Sequence, residues 1–217
     1  MRWVLVALTV IACGVSLCND QANTLVVIKG PAVIEPRSPE GHRLSPNDSV
    51  QLTYSAEIVG YGEDGEHVKK IQVVPDHVLA AFDGELLGSD RGEWGGELVF
   101  RDKGAVIHRM LEHNVRAIIP MPFGVVVFTG LAHMGMSTGA IYLITQDPGH
   151  LPRANLLHGL SGAPSDILWT VNDDLVFTVL PGIRTKRDFF SPPSPECDLL
   201  DKKGELRTLP CASAIRR

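Results

Sequence analysis

Val78-Leu-Ala-Ala-Phe-Asp-Gly84, Glu85-Leu-Leu-Gly88, a glycine-rich turn, Glu97-Leu-Val-Phe100 and Val106-Ile-His-Arg-Met110 make up the stretch whose reading decides the fold. Short runs of Val, Ile, Leu and Phe end at Gly, Asp or Asn, and no run carries helical spacing, so each reads as a strand. The pattern recurs as Ala117-Ile-Ile119, Phe123-Gly124, Val125-Val-Val-Phe128, a second glycine-rich turn, Ala140-Ile-Tyr-Leu-Ile144 and Ala154-Asn-Leu-Leu157. A third unit reads Ile167-Leu-Trp-Thr-Val171, Asp173-Asp174, Leu175-Val-Phe177, a long loop, Cys197-Asp-Leu-Leu200 and Glu205-Leu-Arg-Thr-Leu209. Gly84 and Gly124 are 40 residues apart and Asp174 lies 50 further on, the excess falling in the proline-rich loop Arg184–Pro195. The fold class expected is all-β.

Upstream, Thr24–Ile28 reads as a first strand, followed by a loop with Pro31, Pro36, Pro39 and Pro46. Val50–Val59 and His67–Val74 read as a hairpin around Glu63-Asp64-Gly65, where the Asp-Gly step favours a tight turn. Four antiparallel strands per unit, at a period near 40 to 50 residues, resemble a β-propeller blade array. The resemblance covers about 135 residues and rests on this pattern, without a Trp-Asp or kelch signature. It implies small sheets that bury their faces by stacking on neighbours. Three units and one hairpin fall short of the four to eight blades of a closed ring. Either Thr24–Val74 supplies a degenerate fourth blade, or the sheets form an open meander or a β-sandwich.

The chain opens Met1-Arg-Trp-Val-Leu-Val-Ala-Leu-Thr-Val-Ile-Ala-Cys-Gly-Val-Ser-Leu-Cys18, a basic residue and a short apolar run before the polar Asn19-Asp20-Gln21. That is the pattern of a secretory signal. It is shorter than the roughly 20 apolar residues a membrane-spanning helix needs. Val10-Ile11-Ala12-Cys13 resembles the lipobox of bacterial lipoproteins, which implies a lipid anchor on Cys13; Cys18 is the competing position, although Leu17 before it is larger than that motif accepts. The expected organisation is a signal over 1–18, a tether over 19–48, one all-β domain over 49–211 and a tail over 212–217. The expected location is the periplasm or the outer membrane of a bacterium, or the medium outside it.

Of 217 residues 44% are hydrophobic, enough for one domain with a core. The formal charge is −5, and it becomes −6 once Arg2 leaves with the leader, because 20 basic residues fall to 19 against 25 acidic ones. That balance argues against a nucleic-acid partner, which needs clustered positive charge. The basic groups Arg184, Lys186 and Arg187, and Arg216 and Arg217, read as a solvated loop and a tail. Outside the leader only Cys197 and Cys211 remain, and in an oxidising compartment they are expected to form a disulfide. A closed loop of about 15 residues contributes roughly 3 kcal/mol by chain entropy.

Gly135-Met136-Ser137-Thr138-Gly139 matches the GxSxG pattern of serine hydrolases, with Asp147, His150, His158 and Asp166 as candidate partners. That chemistry needs the serine on a strand-to-helix turn, whereas Ala140-Ile-Tyr-Leu-Ile144 continues as a strand. Gly135 and Gly139 therefore read as hairpin glycines with positive φ. The segment Ser89-Asp-Arg-Gly-Glu-Trp-Gly-Gly96 places an arginine and a tryptophan on an inter-strand loop, and such residues on loops held by a rigid sheet are typical of binding surfaces. Leu131-Ala-His-Met134 occupies the equivalent place in the next unit, so both are expected to line one face. The binding residues so named are Arg91, Glu93, Trp94 and His133. No histidine pair has zinc spacing, His108 and His113 fall on opposite faces of a strand, and neither Glu63-Asp64-Gly65-Glu66 nor Asn172-Asp173-Asp174 follows a calcium-loop pattern. No cofactor motif occurs.

The function expected is that of an exported, non-catalytic binding protein presenting these loops to a protein or other envelope macromolecule, as an inhibitor, immunity or assembly factor. The competing expectations are an envelope serine hydrolase using Ser137 and a structural or vestigial domain.

Overall fold

A computed structural model describes residues 53–62, 65–170, 172–183, 188, 190 and 193–211. The leader with Cys13 and Cys18, the Thr24–Ile28 segment, Glu63 and Asp64, and the basic residues Arg184, Lys186, Arg187, Arg216 and Arg217 lie outside the described residues.

The described chain is mostly β and antiparallel throughout. A hairpin of β1 (Tyr54–Gly62) and β2 (Gly65–Val73) comes first. Sheet I holds β3 (His77–Ala81), β4 (Gly84–Ser89), β5 (Glu97–Arg101) and β6 (Ile107–Leu111). Sheet II holds β7 (Val115–Met121), β8 (Gly124–His133), β9 (Met136–Thr145) and β10 (Arg153–Leu160). Sheet III holds β11 (Gly162–Trp169), β12 (Leu175–Pro181), β13 (Glu196–Leu200) and β14 (Leu206–Leu209). Within each sheet, neighbours in space are neighbours in sequence. The three repeat units read from the sequence are thus three consecutive four-stranded meanders, and Gly84 and Gly124 each open the second strand of their sheet.

Side chains alternate across a strand, and here both sets are apolar. In β8, Val126 and Phe128 pack towards Leu175 and Phe177 of sheet III, while Val127 packs towards Leu86, Leu98 and Phe100 of sheet I. On the far face of sheet I, Leu87 and Val99 meet Tyr54, Ala56 and Val73 of the hairpin. Successive sheets therefore bury one another, and no buried cluster among the described residues joins the hairpin to sheet III. Phe128 and Phe177 meet edge to face with centroids 5.0 Å apart, a geometry worth about 1 kcal/mol beyond area burial.

Two local expectations are corrected. Leu131–His133 is not loop: β8 runs on to His133, paired with Met136, and only Met134 and Gly135 turn the hairpin, at φ 47° and 82°. Gly139 does not occupy positive φ. It is needed for closeness, since a Cβ there would lie 2.1 Å from the Gly162 carbonyl oxygen where β9 meets β11.

Cys197 and Cys211 are joined, Cα to Cα 5.1 Å, tying the chain just beyond β14 back to β13. Beside Cys197, Asp198 is 5% exposed, lies opposite Phe177 in the register and leaves Oδ1 without a partner. Burial holds its carboxyl above the ordinary carboxylate range, the Thr208 hydroxyl offsetting this only in part. Because the folded-state value is the higher one, the charged form penalises folding at neutral pH, and the penalty fades as pH falls through that value. Asp198→Asn is expected to raise the unfolding free energy at pH 7 by about 1 to 3 kcal/mol, with the gain shrinking in acid. Denaturant titrations of both proteins at pH 7 and pH 4 check this, and a gain independent of pH contradicts it.

Candidate functional site

An acid at the start of an apolar strand organises the site. Glu97 opens β5 on the side of Val99, facing the hairpin, and its side chain is 4% exposed. A buried carboxylate needs partners, and three reach it. Tyr54 donates its hydroxyl to Oε1 at 3.2 Å, Arg91 donates to Oε1 at 3.0 Å, and Arg109 donates to Oε2 at 3.1 Å. Burial pushes the Tyr54 phenol up to about 12, so it remains a donor over the ordinary pH range. Sequence reasoning missed this hub, although the signal was there: an ionisable residue at the head of the Leu98-Val-Phe100 run, within reach of nearby arginines.

The hub pins the loop between β4 and β5 from below. Arg91 is turned inward to Glu97, its Nε buried without a partner. Asn114 holds the loop from the β6–β7 link, accepting from the Arg91 amide at 3.1 Å and donating to the Gly92 carbonyl at 2.7 Å. Asp90 accepts from the Gly92 amide and pairs with Arg116 at 2.6 Å. The backbone closes into a single 3-10 turn, Gly92–Trp94. Held this way, the loop projects two side chains, Glu93 and Trp94.

Trp94 is 72% exposed. Glu93 reaches the next sheet, its Oε2 lying 3.0 Å from His133 Nε2 at the end of β8. The structure therefore brings together three of the four residues named from the sequence, Glu93, Trp94 and His133, and sets Arg91 beneath them as a support. Next to His133, Met134 is 89% exposed although its φ is positive. Asn or Gly normally fills that position of a two-residue hairpin turn. Phe82, also at positive φ in the β3–β4 turn, packs against the core between sheets I and II; Met134 has no such packing.

Between this loop and β8–β9 lies a cleft of roughly 230 Å³. β8 and β9 are 10 residues long against 5 for β5 and β6, so their ends overhang sheet I. Leu131, Thr138, Ala140 and Tyr142 line it from sheet II, and Gly95, Glu112 and His113 from the sheet I side. His113 stacks on Tyr142, centroids 6.0 Å apart.

Ser137 is occupied in a different way. Its hydroxyl donates to the Leu180 carbonyl and accepts from the Ala163 amide at 2.8 Å, bridging β9 to β12 and β11. Ser137 and Gly139 share one face of β9, and the turn residue Gly135 extends it: Gly135 lies under Ile183, Ser137 bridges, and Gly139 permits the close approach. The GxSxG spacing thus forms the joint between sheets II and III. The candidate partners point elsewhere: His150 Nδ1 meets the Pro148 carbonyl, His158 Nε2 meets the Gly204 carbonyl, and Asp166 accepts from Thr178. His108 pairs with Asp102 at 2.8 Å, Asp174 accepts from the Lys202 amide, and among the described residues no group of three ligating side chains has metal geometry.

Ser137→Ala is expected to cost about 1 to 3 kcal/mol of stability, because it strands the buried Ala163 amide. A fluorophosphonate probe is expected to label neither form. Labelling of the wild type that Ser137→Ala abolishes would instead make Ser137 a nucleophile. No family model, curated protein or solved structure matches the chain.

Proposed function

We propose that the chain is an exported, non-catalytic binding protein of the bacterial cell envelope, propeller-like in its stacking, that grips a macromolecular partner with the face around Trp94. The observation that carries this reading is the Glu93–His133 pair, which sets the β4–β5 loop of sheet I against the end of β8 in sheet II as one surface. Three consecutive four-stranded meanders support the propeller-like description. Trp94 and Met134 stand in solvent on that surface, one on a loop pinned from several sides and the other in a turn position that costs backbone strain. Exposed apolar groups on a rigid frame lose little entropy when they bind. The leader supports export, with Cys13 or Cys18 as the processed residue, and the roles that suit such a face are inhibition, immunity or assembly.

Capture of envelope components on the purified protein tests this. Trp94→Ala and Met134→Asn are each expected to reduce capture about tenfold, the equivalent of about 1.4 kcal/mol, while Met134→Asn leaves stability equal or higher because Asn suits the turn. Capture that survives both substitutions removes this surface from consideration, and the absence of any reproducible partner favours a structural domain. Intact mass of the mature protein is expected to start at Cys13 or Cys18 with acyl chains added; a bare, unlipidated start reduces the leader to an ordinary signal.

A further inference from the structure

We propose that the cleft beside the Trp94 loop is a saccharide subsite that takes one uncharged pyranose ring of an envelope glycan. The proposal rests on the binding reading above and gives the class of its partner. Three polar side chains line the cleft, the half-buried Tyr142 and the exposed His113 and Thr138, and none makes a hydrogen bond to another described residue. Glu112 adds a carboxylate, of which Oε1 alone is engaged, by Arg109 at 3.0 Å. Ala140, between Thr138 and Tyr142 on the same face of β9, keeps the floor shallow. Trp94, the residue before the lining Gly95, presents an exposed ring on the same loop.

Other ligand classes fit less well. An apolar side chain would bury three donors or acceptors unpaired. An anion would find no lysine or arginine in the lining and would face Glu112. A peptide strand needs a free sheet edge, but β8 lies between β7 and β9, and β9 between β8 and β10, so no edge is open to the cleft. A pyranose ring offers hydroxyls that both donate and accept, with C–H faces suited to an aromatic surface, and a cleft of roughly 230 Å³ holds one ring. Recognition would then run through side chains alone.

The test is titration of the purified protein with the trimers of N-acetylglucosamine and of glucose, followed by amide NMR. One of the two is expected to give saturable shifts at Gly95, His113, Gly130, Thr138 and Tyr142. Binding is expected to weaken about tenfold in Thr138→Val and in Tyr142→Phe, with the remaining amides unmoved to show that the fold is intact. Silence with both sugars, or binding that both variants retain, overturns the subsite. If the cleft is silent while capture from envelope extract still depends on Trp94, the saccharide inference alone falls. If Trp94-dependent capture is lost as well, the binding reading falls with it.

Discussion

Two-sided burial is the constraint on which the rest of this structure depends. A four-stranded sheet with apolar side chains on both faces cannot stand in water alone, and the neighbours supply the missing cover. β8 shows the point at single-residue resolution, with Val126 and Phe128 turned to sheet III and Val127 turned to sheet I. A one-residue slip of register would exchange those sets. The stack therefore specifies the register of every strand within it, and it brings loops from consecutive sheets to the same end. The Trp94 loop and the β8–β9 turn meet there for that reason.

The contrast between Glu97 and Glu93 shows how the same side chain does two jobs. Glu97 is nearly inaccessible and surrounded by Tyr54, Arg91 and Arg109. Removing any one of these would leave charge poorly compensated inside the protein, so the group acts as an anchor. Glu93 is half exposed and has one partner, His133, on another sheet. In water such a pair contributes little to stability, and its importance is geometric, since it sets the β4–β5 loop against the end of β8. Rigidity below and exposure above are the conditions for a recognition surface.

The GxSxG segment illustrates how a chemical pattern can arise from packing. Residues at alternate positions of a strand face one way, so the outer glycines and the serine are neighbours on one surface. In this chain that surface is the contact with β11 and β12, where backbones come too close for a Cβ at Gly139. A hydrolase would place the same residues on a tight turn into a helix. The geometry around Ser137 has a strand on each side and backbone atoms as partners.

Much of the fold was legible without coordinates. Alternating and continuous apolar runs, broken by Gly, Asp and Asn, located part of each strand of sheets I to III, because strand patterning is local and the breakers are chemically distinct. The end of β8 and the 162–166 half of β11 lie outside those runs. The Cys197–Cys211 pairing was equally legible by counting. The site was legible only in part. Glu93, Trp94 and His133 were named from residue type and loop position, but the inward turn of Arg91 and the hub at Glu97 were not. Nothing local distinguishes an arginine that meets a partner from one that neutralises a buried acid. By itself the sequence determined an all-β chain of repeated four-stranded units, since hydrogen-bonded strands follow from patterns a few residues long. Only the tertiary structure decided which polar residues are buried, that β8 and β9 overhang sheet I, and that two loops 40 residues apart share one surface. Those outcomes depend on the distance and angle between stacked sheets, and side-chain volumes at contacts far apart in the chain set both.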